Sequence, residues 1–534
     1  AWTEWQIVSG AIENPTEWPE NARVRITGDA LTIARGATLT VGAGIVVLVD
    51  PDTDIVVEGE ILVEGTVGQP VVFTCQDRSL PWGGFLFEAG GSRGVFTGAI
   101  LTGSGADPDW LDNHPEYGHS HRHEQCLFFL SEDAELTLTD CFLIENRGQA
   151  GHGEDAHLTM TRCLVQKCIT AGQYNGGSVV LTDCALIEFP LATAPFADDD
   201  NDGLYLTGGA HALTDCLIGW ALDDGIDAGS GAGGSVTVER CWFESCYHEA
   251  MAWSETRDAD VIDTVALNCG QGIECGFGSP EVDAIRCLST ANLVGARFGD
   301  NYDWSYNGFL TVQDSLLLFN RRDVWGQAWD DWSVHLSQMD IRSNLLSVAD
   351  PDFPHNDRWD PEGDPNQLAR LAPFVPGGAT TVGIGLAVDA DVLDVSKASS
   401  GIPVRLSTLT TSTVTVHYKI DTDGALTGNG TLHFVPGQTV QHVPLHASAI
   451  EGFRQIRVTL REPVNAELTE MSEVIFRNPD AFLQRWIVSG DSWRYVKGTQ
   501  EPPAQWNTLS FNDATWHSGP SPLGYETDSG YEAV

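Results

Sequence analysis

Lysine is nearly missing from this chain. Of 534 residues only Lys167, Lys397, Lys419 and Lys497 are lysines, and Lys+Arg total 28 against 75 Asp+Glu, a formal net charge of -47. A basic surface is therefore absent. Without one there is no counterion release to drive nucleic-acid binding, and no attraction to an anionic membrane surface. Chemistry built on a lysine amine has almost nowhere to sit. No run of about 18 apolar residues occurs, so no membrane-spanning helix is expected. The opening residues, Ala1-Trp2-Thr3-Glu4-Trp5, have neither the basic n-region nor the apolar h-region of a secretory leader and read as a mature or trimmed end. A CxxC…CxxC zinc pattern, a nucleophile elbow, a P-loop, a dinucleotide fingerprint and a haem motif are all missing.

What is present argues for a folded chain. Hydrophobic residues make up 42% and tryptophans number 17, enough for large cores despite the charge. The 56 glycines are spread along the chain, which predicts many tight turns. Length alone suggests two to four domains.

Cysteines reveal a repeat. Thr139-Asp140-Cys141, Thr161-Arg162-Cys163, Thr182-Asp183-Cys184, Thr214-Asp215-Cys216, Glu239-Arg240-Cys241 and Ile285-Arg286-Cys287 share one frame. Asp263-Thr264-Val265 fills the gap before Cys287, and Gln313-Asp314-Ser315 continues the frame. The unit is about 22 residues with loop insertions, and each unit carries short alternating stretches such as Ala134–Thr139 and Gly177–Thr182 that read as strands. Short strands repeated without helices imply an all-β chain built on a right-handed parallel β-helix, with coils about 4.8 Å apart and equivalent residues in ladders. The cysteines then point inward as buried thiols, with disulfides between coils the alternative. A second inward ladder is expected at Asn146, Cys168, Cys246, Asn292 and Asn320. The opening, with Ala37–Gly44, Gly59–Thr66, Pro70–Thr74 and Trp82-Gly83-Gly84, resembles secreted bacterial β-helix proteins of the pectin-lyase-like superfamily. That resemblance implies a protein secreted to the outside or surface of a bacterium.

Further divisions are expected downstream: a β-helix with an N-terminal cap over 1–349, a Pro- and Asp-rich linker over 350–378, a β-sandwich over 379–478 and an incomplete β module over 479–534. Gly430–Thr439 and Val458–Leu468 resemble the Calx-β family, an immunoglobulin-like module. Its acidic stretch is thin at Glu451-Gly452-Phe453, which favours a spacer over a calcium site. Trp486, Trp493, Trp506, Phe511–Trp516 and Pro522–Tyr525 resemble the opening of a galactose-binding-like jelly roll.

The acidic residues concentrate in one place. Asp198, Asp200 and Asp202 before Gly203 match the start of a calcium loop, although Gly209 replaces the closing Glu. Asp202-Gly203 and Asp224-Gly225 are one coil apart, so stacking brings Asp202, Asp223, Asp224 and Asp227 together, and carboxylates that close call for a cation or shared protons. Calcium at Asp198, Asp200, Asp202, Asp223, Asp224 and Asp227 is the simplest expectation; a solvated acidic loop is the bland one. The face continues through His248, Glu249, Glu274 and Arg297. Asp200-Asn201-Asp202, Asp223-Asp224 and His248 resemble, in order and spacing, the inverting site of the polygalacturonase family. That resemblance implies catalytic roles for Asp202, Asp223, Asp224, His248 and Arg297. Two departures stand out: His248 lacks flanking glycines, and Arg297 has no Lys two residues on.

Two more clusters are candidates. His119, His121 and His123 alternate along the chain and could hold zinc or copper, or lie in a surface loop. Trp304, Trp325 and Trp329, interleaved with Asp residues, suit stacking on sugar rings, or a plug for the open end of the solenoid. The expectation is an extracellular, calcium-stabilised structural or adhesive β-helix protein that binds polysaccharide or surface proteins, or self-assembles. The alternative is a polysaccharide hydrolase or lyase acting through the Asp202–Arg297 face.

Overall fold

Three short strands and three bends make one turn of this chain, and the turn repeats. In the computed structural model, which describes residues 4–190, 200–229, 233–255, 257–301, 305–326, 336–377, 381–394, 401–445, 454–478, 492–496, 501–506, 508 and 511–520, Glu135–Thr139, Phe142–Ile144 and Gly151–Glu154 form one coil. His157–Thr161 starts the next and pairs in parallel with Glu135–Thr139. The first strands of successive coils form a 13-stranded sheet from Thr16–Trp18 to Met339–Arg342. The second and third strands build the other two faces. The architecture is a right-handed parallel β-helix.

Local chemistry explains why the chain bends where it does. Alternation puts Leu136 and Leu138 inside and Thr137 and Thr139 toward solvent. The next residue then adopts a left-handed conformation in seven successive coils: Asp140 (φ 54), Arg162 (52), Asp183 (53), Asp215 (54), Arg240 (53), Asp263 (49) and Arg286 (55). Its N–H still bonds to the coil above, as Asp140 N does to Thr161 O at 3.0 Å, so the bend leaves no orphan donor. The cysteine that follows turns inward. Cys141, Cys163, Cys184, Cys216, Cys241 and Cys287 are buried, and all twelve cysteines are free thiols.

Two register details differ from expectation. Glu239 pairs with Ile262 and Ile262 with Ile285, so Thr264, not Val265, takes the cysteine position. Its Oγ1 accepts the Cys241 N–H at 3.2 Å, and Ser315 does the same for Cys287 at 2.9 Å. A small hydroxyl fits that slot and supplies an acceptor, where valine would supply none. The second ladder includes Cys269, whose N–H bonds to Asn292 Oδ1 at 2.7 Å, while the Asn292 N–H bonds to Asn320 Oδ1 at 3.0 Å.

The core is aromatic near its start. Phe85 stacks on Phe128 at 5.1 Å and meets Phe73, Phe96 and Trp82 edge-on, an arrangement that adds to simple area burial. The segment between Ser104 and Cys126 leaves the coil and lies on the outer surface of the third face. There Trp110, Leu111 and Tyr117 cover Val56, Leu86 and Phe129. In residues 350–377, Trp359, Leu371 and Phe374 are buried together with Leu316, Leu318 and Leu345 of the last coils.

The chain divides into two units. The first comprises residues 1–382, 406–414 and 433–440; the second comprises 383–405, 415–432 and 441–534. The strands beyond residue 382 form a four-stranded and a five-stranded sheet, with Val404, Val416, Val458 and Phe476 buried. Ser492–Tyr495 and His517–Pro520 form an antiparallel pair. No helix among the described residues is long and apolar enough to cross a membrane.

Candidate functional site

One four-residue pattern positions the site. Five consecutive coils enter the third face through a variable residue, a small residue, an apolar residue and a second variable residue. Successive coils read Asp202-Gly203-Leu204-Tyr205, Asp224-Gly225-Ile226-Asp227, Glu249-Ala250-Met251-Ala252, Gln271-Gly272-Ile273-Glu274 and Val294-Gly295-Ala296-Arg297. The apolar residue faces the core. The small residue is required by the coil above: a Cβ on Gly203 would lie 2.4 Å from Gly225 O, and one on Gly225 would lie 2.5 Å from Ala250 O. The first and fourth positions therefore form two stacked columns. In the strand register the fourth-position column runs Tyr205–Asp227–Ala252–Glu274–Arg297–Trp325.

The columns are tied across coils by hydrogen bonds. Asp202 Oδ1 accepts the Asp224 N–H at 3.1 Å, and Asp224 Oδ1 accepts the Glu249 N–H at 2.7 Å. Gln271 Nε2 donates to Glu249 and, at 2.7 Å, to Glu274. Arg297 donates to Glu274 at 3.3 Å and to Asn301 at 3.0 Å, and its guanidinium lies 4.7 Å over the Trp325 ring. His248 Nδ1 sits 3.2 Å from Asp223 and 3.7 Å from Glu249. Asp202, Asp223, Asp224, Glu249, Glu274, Arg297 and Asp300 are each more than nine-tenths buried.

So much buried acid shifts proton affinities. Burial, and then the charges of Asp227 and Asp223, push Asp202 well above the usual carboxylate range. Burial, then Glu249 and Asp223, do the same to Asp224. Glu274 is raised by burial and by Asp300 and Glu249, and Arg297 only partly offsets this. Burial lifts Asp227 to about 7 and Asp300 to about 6. Asp200 moves the other way, because His121 at 3.5 Å stabilises its anion. The site thus holds carboxylic acids pushed toward keeping their protons beside Asp200 on its rim, which is pushed toward ionising, a spread of the kind that acid and base chemistry uses.

The sequence-derived candidates are distributed as follows. Asp202, Asp223, Asp224, His248 and Arg297 lie along these columns and the bends that enter them. Asp200 is on the rim, and Asp227 is in the fourth-position column. Glu274 stands in register with Asp227, while Gln271 takes the position above Glu249. Asp198, Trp304 and Trp329 lie outside the described residues. Trp325 is described, with the guanidinium groups of Arg297 and Arg322 over its ring at 4.7 and 4.9 Å. His119, His121 and His123 do not converge. Among the described residues, the groups whose ligand atoms lie within 4.8 Å of one another are His121 with Asp202 and Asp227, and Asp223 with Asp224 and His248. His123 instead pairs with Asp112 at 2.9 Å. Sequence reasoning missed Gln271, Asp300, Asn301 and the crossing of His121 into the acid cluster. The four-residue pattern could have found Gln271; the others arrive on loops outside it.

An open groove of about 380 Å³ runs alongside, lined by Trp220, Leu222, Tyr247, Cys269 and Leu293 among others. It adjoins the site at Leu222-Asp223 and Tyr247-His248, where Tyr247 stacks on His248 at 5.5 Å.

No protein-family model matches the chain, and no curated protein does. Among solved structures it is similar to the periplasmic alginate epimerase AlgG, at 9% identity over 62% of this chain and 78% of that one, with a TM-score of 0.30. It is also similar to the Dettilon tailspike protein gp208, at 11% identity over 88% of this chain and 86% of that one, with a TM-score of 0.25.

Proposed function

We propose that this chain is an extracellular polysaccharide-active β-helix protein, a glycoside hydrolase whose reaction takes place at the Asp202–Arg297 columns. The observation that supports this reading is the burial of several carboxyl groups side by side next to His248 and Arg297. Asp224, held protonated by burial and its acidic neighbours, is the group to protonate a leaving glycosidic oxygen. Asp223, 3.2 Å from His248 and with an oxygen within 4.8 Å of one on Asp224, is the carboxylate to activate water on the same side of the site. Arg297, fixed by Glu274 and Asn301, fixes the end of the site nearest Trp325. The groove beside Tyr247 gives a glycan chain room to continue.

The test is direct. The purified chain is incubated with a panel of neutral and acidic polysaccharides, following new reducing ends and the ultraviolet absorbance of unsaturated products. Reducing ends without unsaturation support hydrolysis, and unsaturated products would reassign the site to a lyase. Asp224→Asn should lower turnover roughly 10²- to 10⁴-fold while leaving the fold intact. Silence across the panel, together with glycan binding or filament formation, would sink the enzymatic reading.

A second reading, a calcium-stabilised surface or matrix protein that binds glycan or self-associates, draws on the same crowding. Carboxylates at this spacing are relieved as well by a divalent cation as by protons. It predicts that millimolar calcium raises the melting temperature of the wild type and not of Asp202→Asn.

A further inference from the structure

We propose that His121, Asp202 and Asp227 form a binding site for a divalent transition-metal ion, with Zn²⁺ the ion that the donor set fits. The inference does not depend on the glycan reading, since it rests on where the inserted segment delivers one imidazole. One ligand-capable atom from each of the three residues lies within 4.8 Å of the other two. They come from distant parts of the chain: His121 from the segment that leaves the coil after Ser104, Asp202 and Asp227 from consecutive coils.

The position of His121 is built, not incidental. The His121 N–H donates to Gln173 Oε1 at 2.9 Å, Ser120 Oγ donates to the same oxygen at 2.8 Å, and Gln173 Nε2 donates back to His119 O at 2.9 Å. Gln173 belongs to the third face and pairs with Tyr205, and the His121 ring rests on Tyr205 at 4.0 Å. The imidazole is thereby aimed over the next coils, where Asp202 is 2% exposed and Asp227 part-buried. His119 and His123, its neighbours in sequence, stay out of the cluster. One nitrogen and two carboxylate oxygens make a borderline donor set. Imidazole selects against calcium, and the carboxylates select against copper(I). Three protein ligands leave a coordination position open for water or a substrate oxygen. Such an ion would also pin the inserted segment to the coils.

The full chain, stripped with chelator and dialysed, is titrated with Zn²⁺ in competition with a chromophoric zinc indicator, and its melting is followed in parallel. One equivalent is expected to bind, with a rise in melting temperature. His121→Ala and Asp227→Asn should each weaken binding at least tenfold. His119→Ala and His123→Ala should leave it unchanged, and circular dichroism of each variant checks the fold. Millimolar calcium should not displace the zinc. The proposal is overturned if no equivalent binds, if calcium displaces it, or if His119→Ala or His123→Ala weakens binding as much as His121→Ala. It is equally overturned if binding survives His121→Ala and is lost in His248→Ala, which would move the ion to Asp223, Asp224 and His248.

Discussion

Two ladders of charge run along the same β-helix at the same spacing, and they solve the same problem in opposite ways. At the first bend, acids and arginines alternate apart from the neighbours Asp183 and Asp215: Arg162 grips Asp140 with two hydrogen bonds of 2.7 and 2.9 Å, Arg240 grips Asp215, and Arg286 grips Asp263. Every one of these groups is at least partly open to solvent. On the third face, Asp202, Asp224, Asp227, Glu249 and Glu274 stack with Arg297 bonded to Glu274 at one end, and most are buried. A solenoid can neutralise a charged column simply by alternating sign. Where it does not, the uncompensated column costs stability, and such costs concentrate at functional sites.

The largest expected effect separates the two ladders by pH. Asp227 and Asp300 keep their protons to about 7 and about 6 in the folded chain, but release them near 3.8 once unfolded. Folded pKa values raised in this way contribute stability that is complete below 3.8 and lost as pH rises through 6 to 7. Asp140 and Asp215 are lowered by Arg162 and Arg240, so their contribution has the opposite sign: present above 3.8 and lost as pH falls below it. For the metal-free chain, the free energy of urea unfolding should therefore rise by on the order of a few kcal/mol as pH drops from about 8 to about 5, with the urea midpoint rising alongside it, and fall again in stronger acid. A midpoint that is flat or falling over the first interval would erase the distinction. Saturating Zn²⁺ should remove much of the rise, because the ion replaces the protons.

How much of this was legible beforehand differs between the ladders for a physical reason. The first bend repeats its residue types, so Thr-Asp-Cys and Glu-Arg-Cys announce the frame, and the inward cysteines follow from it. The frame failed by one residue at Thr264, where the slot tolerates a hydroxyl that does not look like a cysteine. The acid face was half legible. Asp202, Asp224 and Asp227 sit in a repeated Asp-Gly-aliphatic pattern, but Gln271 breaks its chemistry while keeping its geometry. His121 was readable only as one of three alternating histidines. What selects it is the bond from its N–H to Gln173, a contact 52 residues distant that no local spacing encodes.

Next in size is the removal of the buried counter-charge. Arg297→Met leaves Glu274 without its ion pair, while the methionine still packs beside Trp325. A buried pair broken on one side costs about 3 kcal/mol or more. Here the loss should be greatest at alkaline pH and shrink as the solution is acidified, because Glu274 is already inclined to take a proton. Urea unfolding of wild type and variant at several pH values checks this. A loss that is constant with pH would mean that Arg297 acts by packing alone and that the column is not electrostatically strained.

The smallest effect falls on the first ladder. Arg240→Ala removes both bonds to Asp215, yet these groups are 46% and 41% exposed, and water and salt replace most of what is lost. Its melting temperature should shift by less than about 1 °C in a unit of this size, and raising the ionic strength should shrink even that. The comparison between Arg240→Ala and Arg297→Met is the informative one. Both delete a guanidinium bonded to a carboxylate on one solenoid, and they differ in burial and in the company the carboxylate keeps. If the exposed deletion proves as costly as the buried one, then pairing, not desolvation, governs both ladders, and the acid column loses its claim to be the strained and functional one.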